Sequence, residues 1–314
     1  MTGPAYRPPD SPAAPVVAAR FLAGVDGGGS RTRARLWDAD GRRLGEAEAG
    51  PSGLSQGIEQ AWRHVRQAVD GAFAAASLKP AAPGDIALGL GLAGAEVESL
   101  RRAFLAADPG YAATGLAGDV VALLAGAFGE QAGAVVAAGT GSVAAAQDEG
   151  GRYRIIGGWG FPVGDEGSGA WLGLRAMQAA LAALDGRAPT GPLADALRRH
   201  CGGDDEAVQA WCLRANQHAY AQLAPFVFAA SEAGDAQAEA LLQAAANELA
   251  RLVGALQREA GAPLAVVVAG SIGRRLWSRW PAALRSRVVE PAGDACDGAL
   301  ALLRAALRRQ GAAA

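Results

Sequence analysis

The sequence predicts an α/β protein built from a duplicated domain, with the two copies flanking one central cleft. Three observations carry that expectation. Two apolar strands, at residues 21–25 and 134–138, each run into a Gly-rich turn, Asp26-Gly27-Gly28-Gly29 and Gly139-Thr140-Gly141-Ser142. Each turn is followed by the same order of strand, turn, strand, helices and strand, so the pattern repeats although the copies share almost no identity. The chain has 314 residues, the length of two domains at ~150 residues each.

In the first copy, residues 32–37 alternate as a strand, Asp38-Ala39-Asp40-Gly41 makes a turn, and 43–49 returns as a third strand. Residues 55–77 read as a helix, with Ile58, Trp62, Val65, Val69 and Phe73 at three- to four-residue spacing. A buried strand over 86–92, a helix over 96–107 and a strand over 111–116 complete it. The second copy has strands at 134–138, 143–146 and 153–156, with a turn over 148–151. A long helical stretch over 168–260 follows, broken near Pro189 and Gly202. A strand over 264–269 ends in Gly270-Ser271, residues 288–290 form a short strand, and 296–309 a closing helix. The expected domains are a disordered tail over 1–19, an N-terminal α/β domain over 20–118 and a C-terminal α/β domain over 119–314. The last helix is placed to pack back on the N-terminal domain.

Composition narrows the function. Lys plus Arg number 29 and Asp plus Glu 31, a net charge of −2, which speaks against binding nucleic acid by phosphate neutralisation. Hydrophobic residues make up 51%, enough for a substantial core. No apolar run is long enough for a membrane span. The first residues, MTGPAYRPPDSPAAPVVAA, lack the basic start and apolar stretch of a signal peptide. Cys201, Cys212 and Cys296 are odd in number and lack CxxC spacing, which fits a reducing cytoplasm.

The Gly-rich turns are the first chemical signal. Glycine permits positive φ and close approach of a ligand to backbone N–H groups, and successive N–H groups form an anion nest. VDGGGSRT adds Ser30, Thr32 and Arg31 as donors, and AGTGS adds Thr140 and Ser142, a set that suits a polyphosphate. Asp26, beside the first nest, is placed for an Mg²⁺ shell. Ordinary hairpins in a Gly-rich protein are the alternative. There is no GxxxxGK[ST], and no GxGxxG opening a helix. VVVAGSIG, residues 266–273, puts small residues at a strand-to-helix corner, where a flat ring can lie against backbone or the chain simply turns tightly.

Carboxylates are the second signal. Asp119 precedes the helical run VVALLAGAFG and is either an N-terminal cap or a general base held at a helix start. Asp165 lies in GGWGFPVGDEGSGAWLG and either caps the following helix or binds a ligand. Trp159 and Phe161 in that loop stack on a sugar ring or belong to the core. Glu96, in LAGAEVESL, faces the cleft or begins a helix. His64, His200 and His218 sit on helical patterns and are expected at the surface, without zinc spacing.

Six segments, VDGGGSRTRARLWDADG, LGLAGAE, GDVVALLAGAFG, VVAAGTGS, GGWGFPVGDEGSGAWLGLR and VVVAGSIGRRL, occur in order over roughly residues 20–310. In this the chain resembles the amino-sugar kinases of the BadF/BadG/BcrA/BcrD-type ATPase family. The resemblance implies two ribonuclease-H-like domains of the actin, Hsp70 and sugar kinase superfamily. It implies that Asp26, Gly28, Gly29, Ser30 and Thr32, with Gly139, Thr140, Gly141 and Ser142, grip the phosphates of ATP. It makes Asp119 the general base for the sugar 6-hydroxyl, Trp159 and Asp165 the sugar site, and Gly270 and Ser271 the adenosine contact; Glu96 joins the expected sugar site from its own position after a strand. The stretch after the third strand often carries Asn in the family and here reads GPSGLSQG, a departure at the sugar contacts around Ser52 and Gly53. Iron–sulfur cysteines of the dehydratase activators, and the zinc motif of the repressor/open-reading-frame/kinase group, have no counterpart in the sequence.

The expected reaction is therefore transfer of the ATP γ-phosphoryl group to the 6-hydroxyl of glucosamine or N-acetylglucosamine, with Mg²⁺, by a cytoplasmic homodimer. Such transfer depends on positioning and charge neutralisation more than on covalent chemistry. The rival readings are an ATPase coupled to a partner protein and a non-catalytic sugar sensor on the same fold.

Overall fold

The computed structural model describes residues 19–149, 152–260 and 263–312. Residues 1–18 of the expected tail lie outside the described residues. Ala19, at its expected end, is described and packs against the cluster of Trp37, Cys296 and Leu303. By contacts, the described residues up to Gly133, with those of Ala146–Arg154 and from Glu290 onward, group into a first unit. Those of Ala134–Ala145 and Ile155–Val289 group into a second. Among the described residues no helix is long and apolar enough to cross a membrane.

The first unit is built on strands β1 (Phe21–Gly27), β2 (Thr32–Asp38), β3 (Arg43–Ala49), β4 (Ile86–Leu92) and β5 (Ala113–Ala117), in the order β3-β2-β1-β4-β5. β1, β2 and β3 pair antiparallel, whereas β1, β4 and β5 run parallel. Helix α1 (Ile58–Ala75) covers one face and buries Ala61, Trp62, Val65, Ala68, Val69, Ala72 and Phe73, the spacing read from the sequence. Each large apolar side chain so buried is worth ~1.5–3 kcal/mol. Helix α2 (Glu98–Ala106) is two residues shorter at its start than expected, because Ala93–Val97 make the turns that leave β4.

The other face is lined with glycine. Gly24 of β1 pairs with Gly89 of β4, which pairs with Gly115 of β5, forming a row across three parallel strands. Helix α12 (Ala295–Ala312) lies on that row. A Cβ on Gly24 would sit 2.1 Å from the Cys296 carbonyl oxygen, and one on Gly89 would sit 2.4 Å from that of Ala299. Helix α3 (Asp119–Phe128) crosses α12 as closely, since a Cβ on Gly126 would lie 1.9 Å from the Asp294 oxygen and one on Gly298 would lie 1.8 Å from that of Ala122. The chain therefore does not change domain at Asp119 as expected. The small residues of α3 dock it on α12 in the first unit, and the division by contacts falls at residues 133 and 134.

The second sheet consists of β6 (Gly133–Ala138), β7 (Ser142–Gln147), β8 (Tyr153–Gly157) and β9 (Val266–Ala269) in the order β8-β7-β6-β9, with β6 and β9 parallel. This repeats the order β3-β2-β1-β4 of the first sheet. The expected strand over 288–290 is reduced to one bridge between Val288 and Val266. The stretch over 168–260 divides into α4 (Gly169–Leu184), α5 (Pro192–His200), α6 (Asp205–Arg214), α7 (Gln217–Ala221), α8 (Ala224–Glu232) and α9 (Ala236–Ala260). The breaks beyond the two expected ones have local causes. Asn216 caps α7 through its side chain, Pro225 stands in the first turn of α8, and Gly234 takes φ +88° after α8. Two short helices, α10 (Ser271–Leu276) and α11 (Ala282–Arg285), follow β9.

Because the Gly89 position touches helix backbone, which cannot swing aside, Gly89→Ala is expected to destabilise by ~1–3 kcal/mol. A lowered urea midpoint at unchanged slope is the measurement that checks it.

Candidate active site

In an open α/β sheet, ligands bind at the carboxyl ends of parallel strands. In the first unit β1 ends in Asp26 and the first Gly-rich turn, β4 leads to Glu96, and β5 leads to Asp119. The fold thus brings those three predicted groups to one edge of the sheet.

The first turn is braced from behind. The N–H groups of Ser52 and Gly53 both donate to the Gly28 carbonyl at 3.1 Å, and Gln56 Nε2 donates to the Gly29 carbonyl at 3.0 Å. Thr32 is fully buried, and its hydroxyl donates to the Gly50 carbonyl at 2.6 Å and shares a hydrogen bond with Ser52 Oγ. Its expected place among the phosphate donors is corrected, because the antiparallel pairing with Ala49 turns its side chain into the unit. The stretch GPSGLSQG thus supports this turn. His64, expected as surface decoration, donates from Nδ1 to the Pro51 carbonyl at 2.6 Å and packs under Gly50.

Gly28, Gly29 and Ser30 remain at the accessible tip. Positive φ, the usual demand for glycine in a turn, is absent from Gly28, Gly29, Gly139 and Gly141. A Cβ on Gly28 or on Gly139 would have nothing within 4 Å. Neither packing nor backbone conformation demands glycine at these two places, so what remains is room for a ligand to approach the main chain.

Asp119 opens α3 and its Oδ1 accepts the Val120 N–H at 2.8 Å. The residue keeps partial exposure, yet enough protein surrounds its carboxyl to push the pKa up to about 6. Burial is the main cause, followed by the charge of Asp26, and these outweigh the opposing backbone hydrogen bonds. Burial also raises the pKa of Asp26, against the pull of Arg33, whose guanidinium lies 3.7 Å away. Glu96 is an exposed residue, yet its carboxyl packs against Gly118; burial raises its pKa, while Arg101 and the Gly118 N–H pull it back.

In the second unit the carboxyl end of β6 carries the second Gly-rich turn, and that of β9 carries Gly270 and Ser271. The start of α4 holds the turn, with Gly169 N–H donating to the Gly139 carbonyl (2.8 Å) and Ala170 N–H to that of Thr140 (3.1 Å). Gly270, at φ +80°, lies so close to β6 that a Cβ there would meet the Ala138 oxygen at 2.2 Å. Ser142 is buried and its hydroxyl donates to the Glu166 carbonyl at 2.7 Å, which corrects its expected place as a phosphate donor.

Asp165 is buried at φ +60°, and it caps no helix, since Ser168 Oγ accepts the Trp171 N–H at the start of α4. Nε2 of Gln217 donates to the Asp165 carboxylate at 2.7 Å, and the backbone N–H groups of Ser142 and Gly160 lie near enough to favour its charged form. Burial raises its pKa and these donors offset part of that rise. Asp165 also limits Gly141, where a Cβ would lie 2.8 Å from its Oδ2. Gln217 escaped the sequence reading, because a glutamine at a helix start carries no chemical pattern. Trp159 is 86% exposed at the tip of the same loop, whereas Phe161 packs on Tyr220 with ring centroids 5.4 Å apart.

The model of the BadF/BadG/BcrA/BcrD ATPase family matches residues 23–292. The glucosamine kinase of Vibrio cholerae is 34% identical over 280 residues, 89% of this chain and 94% of that protein. A Chromobacterium violaceum protein provisionally named an N-acetylglucosamine kinase has a crystal structure that superposes with TM-score 0.87 at 43% identity, covering 91% of this chain and all of that one. A glucokinase of Streptomyces griseus, solved with glucose and AMPPNP, shares the fold with TM-score 0.51 at 16% identity, over 92% of this chain and 99% of that one.

The electrostatics of the first unit set a direct test. A carboxyl-detected NMR titration is expected to place the Asp119 midpoint at about 6. Asp26→Asn removes a like charge, which had favoured the protonated form, so the midpoint should move to lower pH. An unmoved midpoint would contradict the assigned cause.

Proposed function

The chain belongs to the BadF/BadG/BcrA/BcrD ATPase family, and from that premise we propose that it transfers the γ-phosphoryl group of ATP to the 6-hydroxyl of glucosamine or N-acetylglucosamine. The observation that carries this reading is the open space over Gly28 and Gly139, at the carboxyl ends of β1 and β6. The names of the relatives supply the amino sugar as acceptor.

In this reading Gly28, Gly29 and Ser30, with Gly139, Thr140 and Gly141, face the phosphates. Ser142 and Thr32 hold those turns in shape. Gly270 and Ser271 bound the adenosine. Asp119 accepts the proton of the 6-hydroxyl as its oxygen bonds to the γ-phosphorus, the bond from that phosphorus to the bridging oxygen breaks, and ADP leaves. With its pKa near 6, Asp119 is mostly ionised at neutral pH and ready to accept that proton. Trp159 offers an apolar wall to the sugar. Asp165 accepts a ring hydroxyl at its remaining lone pair or in exchange for Gln217.

Mg²⁺ fits on limited terms. No group of three His, Cys, Asp or Glu among the described residues is placed to hold a metal, so a protein-made cage is absent there. Mg²⁺ commonly uses one or two carboxylates together with nucleotide phosphates and waters, and Asp26 is the carboxylate that would serve. When bound, the ion neutralises charge on the transferring phosphoryl group.

Three measurements test the reading. ADP release assayed across glucosamine, N-acetylglucosamine and N-acetylmuramic acid should depend on one of the first two, and release independent of sugar would favour an ATPase coupled to a partner. Asp119→Asn should keep sugar and nucleotide binding while kcat falls ~10²-fold or more. Gly139→Ala should keep its melting temperature while KM for ATP rises about tenfold or more, a loss of ~1.4 kcal/mol. Unchanged nucleotide affinity in that variant would remove the second turn from the phosphate site.

A further inference from the structure

Glu96 was expected at the sugar, yet its bonds point elsewhere. Its carboxylate lies against the backbone of Gly118, the residue immediately before Asp119, where the Gly118 N–H favours its charged form. The approach is close, since a Cβ on Gly118 would lie 2.4 Å from Glu96 Oε1. Arg101, buried at 6% exposure on α2, sits in the field of Glu96 and donates from Nη1 to the Leu116 carbonyl at 2.8 Å. Gly118 itself makes no side-chain cap for α3. The corner between β5 and α3 is therefore fastened on both sides of Ala117 by one acid and one base from the β4–α2 segment. That corner fixes where the Asp119 carboxyl begins.

We propose that Glu96 is a positioning residue for Asp119, which it holds by accepting the Gly118 N–H while Arg101 secures the Leu116 carbonyl. The inference rests on Asp119 being the base of the proposed kinase reaction. Misplacing a reacting group by about 1 Å costs up to ~10²-fold in rate, so an acceptor one residue away has leverage on kcat without touching substrate. The requirement is for an acceptor of the right reach. Glutamine supplies one. Aspartate keeps the charge but is one methylene short, and alanine has neither.

The test is a set of Glu96 variants in the sugar-dependent ADP-release assay, with Asp119→Asn alongside. Glu96 is exposed, so its replacement leaves the core intact. Glu96→Ala and Glu96→Asp are expected to lower kcat about tenfold or more with both KM values within about twofold, and Glu96→Gln to recover at least about a third of kcat. A rise in sugar KM with kcat preserved would overturn the inference and make Glu96 a sugar contact. Equal losses in the Gln and Ala variants would overturn it in favour of charge, and wild-type kinetics in all three would remove Glu96 from the machinery. An active Asp119→Asn would instead bring down the assignment of the base, so the two failures are distinguishable.

Discussion

The closeness of α12 to the glycine row of the first sheet governs much of that unit. Helix backbone against strand backbone is possible only where side chains are missing, and Gly24, Gly89 and Gly115 are aligned by strand register to provide that. The same economy of volume at Gly126 and Gly298 brings α3 against α12. Charge then locks the start of α12. Arg35, with a side chain only 7% exposed, donates to Asp294 and Asp297 at 2.6 Å each and to Glu46 at 2.7 Å, while Arg33 reaches Asp294 at 3.0 Å. Exposed ion pairs are worth little, but removing one partner from a buried set leaves an uncompensated charge and costs several kcal/mol. Since α3 begins with Asp119, the packing on this face also sets where that carboxyl lies.

Both units put their chemically interesting residues where parallel strands end. In the first, burial and neighbouring carboxylates raise Asp119 toward the range useful to a base at neutral pH. In the second, the polar groups are largely spent on each other. Carbonyls of the turn take the amides of α4, and Asp165 takes Nε2 of Gln217. Such mutual satisfaction makes the turn rigid, and rigid placement is what phosphoryl transfer asks of a protein. In each unit separately, protein leaves the space over the Gly-rich turn empty, at Gly28 and at Gly139.

Much of this was legible in the sequence. The repeated order of strands, the α1 face and the clustering of Asp26, Glu96 and Asp119 after strands follow from periodicity and glycine punctuation. What escaped is instructive. Thr32 and Ser142 were read as phosphate donors because hydroxyls beside Gly-rich turns suit anions, yet strand pairing turns one inward and the loop over Glu166 claims the other. The sequence leaves glycine in these turns two uses, positive φ or close approach of a ligand, and the backbone at Gly28 and Gly139 takes no positive φ while their Cβ positions are open, which favours the second. The boundary at Asp119 failed because α3 looks like the start of something new in sequence, while its partner helix lies about 170 residues further along the chain.

By itself, then, the sequence determined which segments become strands and helices, where the Gly-rich turns and acids fall along them, and the family to which the chain belongs. These are local properties, set by hydrophobic period, by caps and by residue types that a neighbouring backbone demands. The tertiary structure alone decided which hydroxyls face inward, that Glu96 grips Gly118, that Gln217 reaches Asp165, and that the closing helix lies on a glycine row formed by three separated strands. Those facts depend on residues far apart in the chain meeting at distances of a few ångströms, and no local pattern encodes the partner of a hydrogen bond.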